Sequence, residues 1–268
     1  MKCNTFFSSI LLCLILILSS HDMISQKFQI GLSYGNSDYL GDIKPALSGP
    51  FASNNEAFSF HIGYNINRIW AVKGQFASTK ISGKDENKSN IRNLSFESPV
   101  DEVACMVDVE FSRYITPLKE SNFQAFAVTG IAGFIFDPRT YYDGNWYRLQ
   151  PLSTEGQGLP GSNVKSYSRL SVSLPIGGGL RYYFTDHISL EFSIIARKTY
   201  TDYLDDVSGY YYDPEQLLLY KGEIARKLAY RSDEIPEYVE EVKIGNQRGN
   251  PTNKDWFFVN SFAISYKF

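Results

Sequence analysis

The sequence is poor in cysteine and histidine, and it lacks any long hydrophobic run after its N-terminal stretch. Its 268 residues include three cysteines, and Cys3 and Cys13 both lie in that stretch. Cys105 is then the single cysteine of a processed chain, which excludes an internal disulfide. No later segment approaches the roughly 20 apolar residues of a membrane-spanning helix. We therefore expect stability to come from hydrogen bonding and packing.

The chain also lacks a strong charge of either sign. It carries 26 basic and 29 acidic residues, for a formal net charge of −3. Nothing in this balance is basic enough for a nucleic-acid-binding protein. The length fits one domain, and no repeat at the periods of solenoid proteins is visible.

A short basic start and an apolar run open the chain. Met1 and Lys2 are followed by FFSSILLCLILILSS over residues 6–20. This run is too short for a spanning helix, and small polar residues follow it. The pattern predicts a secretory signal peptide over residues 1–25, with cleavage after Ser25, and a single domain over residues 26–268. An exported chain without a helical anchor is either soluble in the periplasm or a barrel in the cell outer membrane.

Aromatic residues are abundant, and at the C-terminus they follow a period of two. Tyrosine and phenylalanine occur 19 times each. In the last stretch, FFVNSFAISYKF, one set of alternate positions is apolar and includes Ile264, whereas the other is mostly small or polar and includes Ser265. Alternate side chains of a strand point to opposite faces. The stretch is typical of the closing strand of a transmembrane β-barrel, and an edge strand of a soluble sandwich is the alternative.

Seven further segments complete an even number of strands. They cover residues 28–36, 58–65, 70–82, 103–112, 124–136, 170–184 and 188–198. All alternate except residues 124–136, which are apolar on both sides and fix no face. The connections 66–69, 113–123 and 185–187 are short, whereas 40–56, 83–100, 137–167 and 200–256 are long. Short turns at one end and long loops at the other predict an eight-stranded antiparallel transmembrane β-barrel with extracellular loops and periplasmic termini.

The inward-facing set of the predicted barrel carries charges of both signs. Arg181 and Glu191 lie on adjacent strands joined by a tight turn, where they are placed to pair across the ladder. An eight-stranded barrel is just wide enough for its own side chains to fill it. We therefore expect a filled, non-conducting lumen with a network of neutralising charges: Lys73, Asp108, Glu110, Arg181, Glu191 and Arg197.

Catalysis is disfavoured by the same geometry. His61 is expected near Asp108, but inside a filled lumen with no convincing nucleophile. His21 lies in the signal peptide and His187 in a turn. These residues fail the geometric tests for a catalytic site. We expect no enzymatic activity, no catalytic residues and no cofactor.

The long loops hold the remaining candidates. Asp213 is placed to cap a helix that starts at Pro214 and that Gly222 weakens. Asp202, Asp205 and Asp206 are weak candidates for a metal site, because they lack the ligand spacing of an EF-hand, and capping or turn hydrogen bonds are their favoured use. The loops are interpreted as a docking surface or a lid, with these interaction candidates: Trp146, Thr154, Glu155, Asp202, Tyr203, Asp205 and Asp206.

Several loop motifs resemble a known family. They are YLGDI (residues 39–43), WYRLQPLSTEGQG (146–158), RKTYTDYLDDVSGYY (197–211), DWFF (255–258) and SYKF (265–268). Together they resemble the PorG family, an outer-membrane β-barrel component of the type IX secretion and gliding motility machinery of Bacteroidetes. The resemblance implies an accessory role beside a periplasmic ring of PorK- and PorN-like proteins, in support of protein transport through a separate translocon. The family has no established catalytic residues, so the resemblance assigns none to this sequence.

Three hypotheses about function therefore follow. The first is a non-enzymatic component of the type IX secretion apparatus that associates with the periplasmic ring, with residues 113–123 as the first docking contact to test. The second is a generic small outer-membrane barrel for adhesion or envelope integrity. The third, an outer-membrane enzyme, is the least favoured.

Overall fold

The structure is a computed structural model that describes residues 27–44, 53–85, 92–115, 118, 120–235 and 243–268. Within these ranges ten strands form one antiparallel sheet. The strands are β1 (Phe28–Leu40), β2 (Asn55–Asn65), β3 (Trp70–Lys84), β4 (Ser95–Val109), β5 (Phe123–Phe136), β6 (Arg139–Tyr142), β7 (Asn145–Arg148), β8 (Leu170–Tyr183), β9 (Ile188–Thr199) and β10 (Trp256–Lys267).

Eight of these strands close into a barrel. β3 pairs with both β2 and β4, and β10 pairs with β1 and β9, so that β1, β2, β3, β4, β5, β8, β9 and β10 form a continuous ring. The remaining two strands, β6 and β7, form a hairpin that continues from β4, where Glu97 pairs with Arg139. The predicted eight-stranded antiparallel barrel is confirmed. The predicted signal peptide lies outside the described residues.

The outer face of the barrel is apolar, whereas the inner face over the same length carries buried polar and charged side chains beside a small apolar cluster. On β10, Ile264 is 64 % exposed and the next residue, Ser265, is 3 % exposed. Gln29 pairs with Lys267, which places the described ends of β1 and β10 at the rim of the short turns. A closed barrel with an apolar exterior, short turns at one rim and long loops at the other is an outer-membrane β-barrel with its short turns in the periplasm.

The pattern of faces inverts near the long loops. There the inner face is apolar and the outer face carries polar residues such as Lys80 and Glu97. The inner residues form one buried core with loop residues that close the barrel from above: Tyr39, Ile43, Ile81, Leu94, Phe96, Val100, Phe134, Phe136, Leu149, Leu204, Val207, Leu228 and Phe257. We call this upper part, the core and the loops that cover it, the extracellular cap.

The cap makes several strands longer than the sequence predicted. β1 continues to Leu40, β2 begins at Asn55 and β4 begins at Ser95, because these strands run beyond the membrane into the cap. At the periplasmic end the prediction for β4 ran too far, since residues Phe111–Tyr114 form a 3₁₀-helix.

The long loops have secondary structure of their own. The β6–β7 hairpin was not predicted, and its turn residues Asp143 and Gly144 both have positive φ (45° and 79°), as a tight hairpin turn requires. The predicted helix begins where expected, with the Asp213 side chain accepting from the amides of Glu215 and Gln216. It divides into α1 (Pro214–Lys221) and α2 (Glu223–Ala229), because Gly222 adopts φ 86° and ψ 177°, a conformation that is essentially restricted to glycine. None of the described helices is long and apolar enough to cross a membrane.

Candidate functional site

A network of charged side chains fills the middle of the lumen. The Arg181 guanidinium lies 2.7 Å from Asp108 (Nη2 to Oδ2) and 2.9 Å from Glu191 (Nε to Oε1). The Lys73 ammonium contacts the same two carboxylates at 2.7 and 3.4 Å. Arg181 also lies over the Phe126 ring, with 4.5 Å from Cζ to the ring centroid. Four of the predicted lumen residues are thus brought together, and each is buried.

Glu110 extends this network towards the periplasmic rim. Its carboxylate accepts hydrogen bonds from Arg181, from Arg113 and from the Tyr183 hydroxyl. Arg113 was not recognised as a member because it follows the strand, in the 3₁₀-helix, where strand alternation no longer applies. With Arg113, the network contains three basic and three acidic side chains and is balanced in charge.

Arg197 lies apart from this network and pairs with a different partner. Its guanidinium contacts Glu102 (Nε to Oε1, 3.3 Å) and donates to the carbonyl oxygen of Ile195 at 2.9 Å. Both Arg197 and Glu102 are almost fully buried. Glu102 was missed because the predicted strand started at residue 103, although its alternation with Ala104 and Met106 would have placed it on the inner face.

The space left between these side chains is small. A lumen cavity of about 40 Å³ is lined by His61, Lys73, Asp108 and Glu191, among others. One water needs about 10–15 Å³ of such space, so the cavity has room for a few waters and for no substrate. His61 fits beside β1 because residue 31 is glycine, where a Cβ would lie 2.3 Å from the imidazole Cε1.

His61 does not form a catalytic dyad with Asp108. Its Nε2 lies 3.3 Å from the Ser265 hydroxyl, which donates to Glu191 at 3.2 Å. Ser265 is thus bound to the acid directly, whereas in a nucleophilic triad the histidine lies between the serine and the acid. The arrangement satisfies these buried polar groups inside the lumen.

A second polar cluster lies in the extracellular cap. The Tyr39 hydroxyl lies 2.6 Å from Asp205 Oδ2 and 2.9 Å from Asp255 Oδ1. A hydroxyl carries one proton, so it satisfies both carboxyl groups only if one of them is protonated. Asp205 also accepts from the amide of Val207, which closes the turn after β9.

Asp206 and Glu155 join the two longest loops. Asp206 accepts from the hydroxyls of Thr154 (2.5 Å) and Tyr167 (2.6 Å). Glu155 accepts from the Arg248 guanidinium at 3.1 Å. The loops between β5 and β8 and between β9 and β10 are therefore tied together by buried, charge-assisted hydrogen bonds.

This burial corrects the interpretation of the loop candidates. Thr154, Glu155, Asp202, Asp205 and Asp206 are buried and bonded within the cap, so they organise the loops and are not available as a docking surface. Tyr203 stacks on Tyr167, with 4.3 Å between ring centroids, whereas Trp146 is exposed on the β6–β7 hairpin. Among the described residues, no three side chains of metal-ligating type converge on one point. Asp202 accepts from the Ser208 hydroxyl, a turn hydrogen bond of the kind expected for these aspartates.

Burial raises the pKa of several carboxyl groups of the cap. It raises the pKa of Asp205 to about 8 and that of Asp206 to about 6, and it raises the pKa of Asp255 well above its usual range. An acid whose pKa is higher in the folded state contributes stability at low pH, and this contribution is lost as the pH rises through the folded-state pKa. The cap is therefore more stable in mild acid than at alkaline pH.

We expect Asp205→Asn to reduce this pH dependence, because asparagine is neutral at every pH. Thermal unfolding in detergent at about pH 5 and about pH 9 measures it. Between about pH 5 and about pH 9, the unfolding temperature of the wild type should fall by about 4 °C or more beyond the fall of the variant. In a domain of this size this difference is equivalent to about 1–2 kcal/mol. Equal falls in the two proteins would contradict a proton-linked cap.

The periplasmic turn between β4 and β5 exposes apolar side chains. Phe111, Tyr114, Ile115 and Leu118 are exposed on it, and we call them the periplasmic patch. Arg68 and Glu120 form an ion pair between this turn and the β2–β3 turn, with side chains 82 % and 72 % exposed. Such exposure of charged groups indicates that the turns extend into water. Residues 116, 117 and 119 of the predicted docking contact lie outside the described residues.

Comparison with known proteins gives a family match and distant structural likenesses. A family model described as "Domain of unknown function (DUF6089)" matches residues 8–224. No curated protein matches the sequence.

Three solved outer-membrane proteins illustrate the structural likenesses. The chain is similar to Ail, the attachment invasion locus protein of Yersinia pestis (12 % identity, covering 91 % of this chain and 100 % of that chain, TM-score 0.42). It is similar to Neisserial surface protein A (10 % identity, covering 90 % of this chain and 97 % of that chain, TM-score 0.41). It is also similar to outer membrane protein W of E. coli (11 % identity, covering 92 % of this chain and 100 % of that chain, TM-score 0.35). Likenesses at this level carry no inference about ligand, partner or activity.

Proposed function

Because the chain belongs to the DUF6089 family, whose description gives no function, we propose a function from its own geometry and motifs. The protein acts as a non-enzymatic outer-membrane barrel that is an accessory, structural component of a type IX protein secretion apparatus. The observation that carries this proposal is the periplasmic patch, an exposed apolar surface on a turn that extends into water.

The filled barrel supports a structural role. Arg181 and Lys73 with their carboxylate partners occupy the lumen, and the extracellular cap closes its outer end. Among the described residues the lumen cavity measures about 40 Å³, which leaves no substrate-sized space between these side chains. The protein therefore acts through its periplasmic turns, its outer wall and its extracellular surface.

The periplasmic patch supports a protein partner on the inner side of the membrane. Ile115 is 47 % exposed and Leu118 is 39 % exposed, and both belong to the turn that the exposed Glu120 places in water. Phe111 lies two residues after β4, and the Tyr114 hydroxyl accepts from the Trp70 indole at the start of β3. At such strand ends aromatic residues also anchor barrels at the membrane interface. Ile115 and Leu118 are therefore the residues that a periplasmic protein would cover.

The resemblance to the PorG family supplies the chemistry of that partner. The motifs TDYLDDVSGYY and PLSTEGQG, residues 201–211 and 151–158, carry the most specific part of the resemblance. They form the hydrogen-bonded cap described above, so this part of the resemblance concerns the architecture of the loops. The family association implies a periplasmic ring of PorK- and PorN-like proteins, and the periplasmic patch is on the correct side of the membrane to contact it.

We expect the double variant Ile115→Asp/Leu118→Asp to lose its association with the ring. Crosslinking in intact membranes, followed by purification of the barrel and detection of ring proteins, is the measurement. The matched control is Leu219→Asp/Tyr220→Asp, which places the same charges on exposed apolar positions of α1, on the extracellular side. Ring proteins recovered equally with both variants would contradict the proposed contact.

A second candidate function, adhesion or envelope integrity, rests on a different observation. Leu219 is 70 % exposed on α1, and Tyr210 and Tyr220 are also exposed on the extracellular side. Deletion of the gene separates the two functions. Loss of secretion of the cargo of the type IX apparatus supports the secretion component, whereas intact secretion with altered adhesion supports the second candidate.

A further inference from the structure

Three arginines surround one carboxylate at the extracellular edge of the apolar outer wall. Asp137 follows β5, Arg139 and Arg148 face each other across the β6–β7 hairpin, and Arg169 precedes β8. Asp137 accepts from Arg139 (Nη2, 2.7 Å), from Arg148 (Nε, 2.9 Å) and from Arg169 (Nη1, 2.9 Å). We call Arg139, Arg148 and Arg169 the arginine cluster.

The cluster carries more positive charge than its carboxylate neutralises. Three guanidinium groups and one carboxylate give a formal charge of +2. Partial burial raises the pKa of Asp137, but hydrogen bonds from the three arginines lower this pKa by a larger amount. The pKa of Asp137 is therefore below its usual value. The carboxylate is therefore ionised at neutral pH, and the excess charge belongs to the arginines.

Neighbouring charged residues reduce this excess without removing it. Lys80 and Glu97, on β3 and β4, form a neutral pair with 3.1 Å between Nζ and Oε2. Asp101, on the outer face of β4, accepts from the Ser78 hydroxyl at 2.6 Å and keeps its formal negative charge, so the formal sum over the arginine cluster, Asp137 and these neighbours is +1.

The guanidinium groups remain open to a further acceptor. The arginine side chains are 44 %, 47 % and 42 % exposed, in the order Arg139, Arg148 and Arg169. Each guanidinium has five N–H donors. Among the described residues, Asp137 takes two donors from Arg139 and one each from Arg148 and Arg169. Most donors are thus available to a planar or tetrahedral oxyanion.

The position of the cluster selects a lipid as the source of that oxyanion. Ile135 lies two residues before Asp137 on the outer face of β5, and Leu170 directly follows Arg169. Ile135 and Leu170 are both exposed on the lipid-facing wall. Tyr141 and Trp146 are exposed on the hairpin beyond the arginines and pack edge-to-face, with 5.4 Å between ring centroids. From the membrane outwards, the surface along β5, the hairpin and β8 therefore presents apolar residues, then the guanidinium groups, then the aromatic pair. The first two layers match the acyl chains and the charged headgroup of a lipid.

We propose that the arginine cluster binds the phosphate-bearing headgroup of an anionic lipid in the outer leaflet, with the acyl chains against Ile135 and Leu170. Bidentate donation by arginine to phosphate oxygens provides the recognition. This site is separate from the periplasmic patch and does not depend on the secretion role.

The test uses the purified protein in nonionic detergent and two probes with identical acyl chains, lipid A and dephosphorylated lipid A. Native mass spectrometry measures the bound fraction of each. We expect the wild type to bind lipid A at least about tenfold more tightly, which corresponds to about 1.4 kcal/mol. The triple variant Arg139→Gln/Arg148→Gln/Arg169→Gln should lose this preference.

The matched control removes three positive charges from the extracellular helices, in Lys221→Gln/Arg226→Gln/Lys227→Gln, and should retain the preference. Asp137→Asn keeps the arginines and frees their donors, so it should bind lipid A more tightly than the wild type. Weaker binding by Asp137→Asn, an unchanged preference in the arginine variant or equal loss in both triple variants would overturn the proposal. Displacement of lipid A by equimolar inorganic phosphate would overturn the assignment to a lipid.

Discussion

Replacement of Arg181 by methionine should lower the free energy of unfolding of the barrel by about 3–5 kcal/mol, the range for removing one partner from a buried ionic network. Methionine has a similar length but no charge. Asp108, Glu110 and Glu191, which all contact Arg181, would then share Lys73 and Arg113 and carry an uncompensated negative charge. Urea unfolding in lipid vesicles measures the loss.

A charge-balanced variant separates the effect of charge from the effect of packing. Arg181→Met/Glu191→Gln removes one cation and one anion, so the remaining network is neutral again. We expect it to be more stable than Arg181→Met alone, with a coupling energy of about 0.5–3 kcal/mol between the two sites. Additive losses would show that the lumen charges do not act as one network.

Placing a charge on the outer wall should be almost as costly. Ile264 lies on the outer face of β10, between Phe262 and Tyr266, where lysine would enter hydrocarbon. We expect Ile264→Lys to destabilise the folded barrel by about 2–4 kcal/mol, as for lysine near the bilayer midplane. The measurement is again urea unfolding in lipid vesicles.

Leu219→Lys is the control for this variant. Leu219 is as exposed as Ile264, but it lies on α1 in the extracellular region. A lysine there meets water, and the change should stay within about 0.5 kcal/mol. Equal effects of the two substitutions would mean that the wall around Ile264 does not face lipid.

The membrane-spanning part of the fold was predictable because one rule governs it. Lipid requires apolar side chains outside, and the narrow lumen requires small or mutually neutralising polar side chains inside. The alternation of apolar and polar residues on β10 therefore identified the strand and both of its faces. Ile264 lies on the outer face and Ser265 on the inner face. The same parity placed Lys73, Asp108, Arg181 and Glu191 on the inner face, where the structure brings them into contact.

The cap was not predictable from alternation because the rule inverts there. Above the membrane the outer face meets water and the inner face meets an apolar core, so Phe96 and Val100 point inwards on the strand whose Val103 points outwards. A strand that crosses this boundary has apolar residues on both faces, as β5 does at Phe134 and Ile135. Its sequence alone then fixes neither the faces nor the end of the strand.

The cap cluster depends on contacts that no local pattern encodes. Tyr39 and Asp205 are 166 residues apart, and their hydrogen bond exists only because β1 and the loop after β9 meet above the lumen. The sequence offered Asp202, Asp205 and Asp206 as a set, but it gave no sign that Arg248 and Asp255 would join them. Among the described residues, the exposed surfaces outside the lipid-facing wall include the periplasmic patch, α1 and the arginine cluster.

The central claim is that the alternating strands present their apolar face to lipid, and Cys105 tests it most directly. This residue is exposed on the outer face of β4, beside Ile131 of β5. A nitroxide attached to it in the chain without residues 1–25, reconstituted in vesicles, reports collisions with lipid-soluble oxygen and with a water-soluble nickel complex. We predict frequent collisions with oxygen and few with nickel, the reverse of a label at Leu219→Cys in a Cys105→Ala background. A label at Cys105 that collides mainly with nickel, or with neither reagent, would contradict the account.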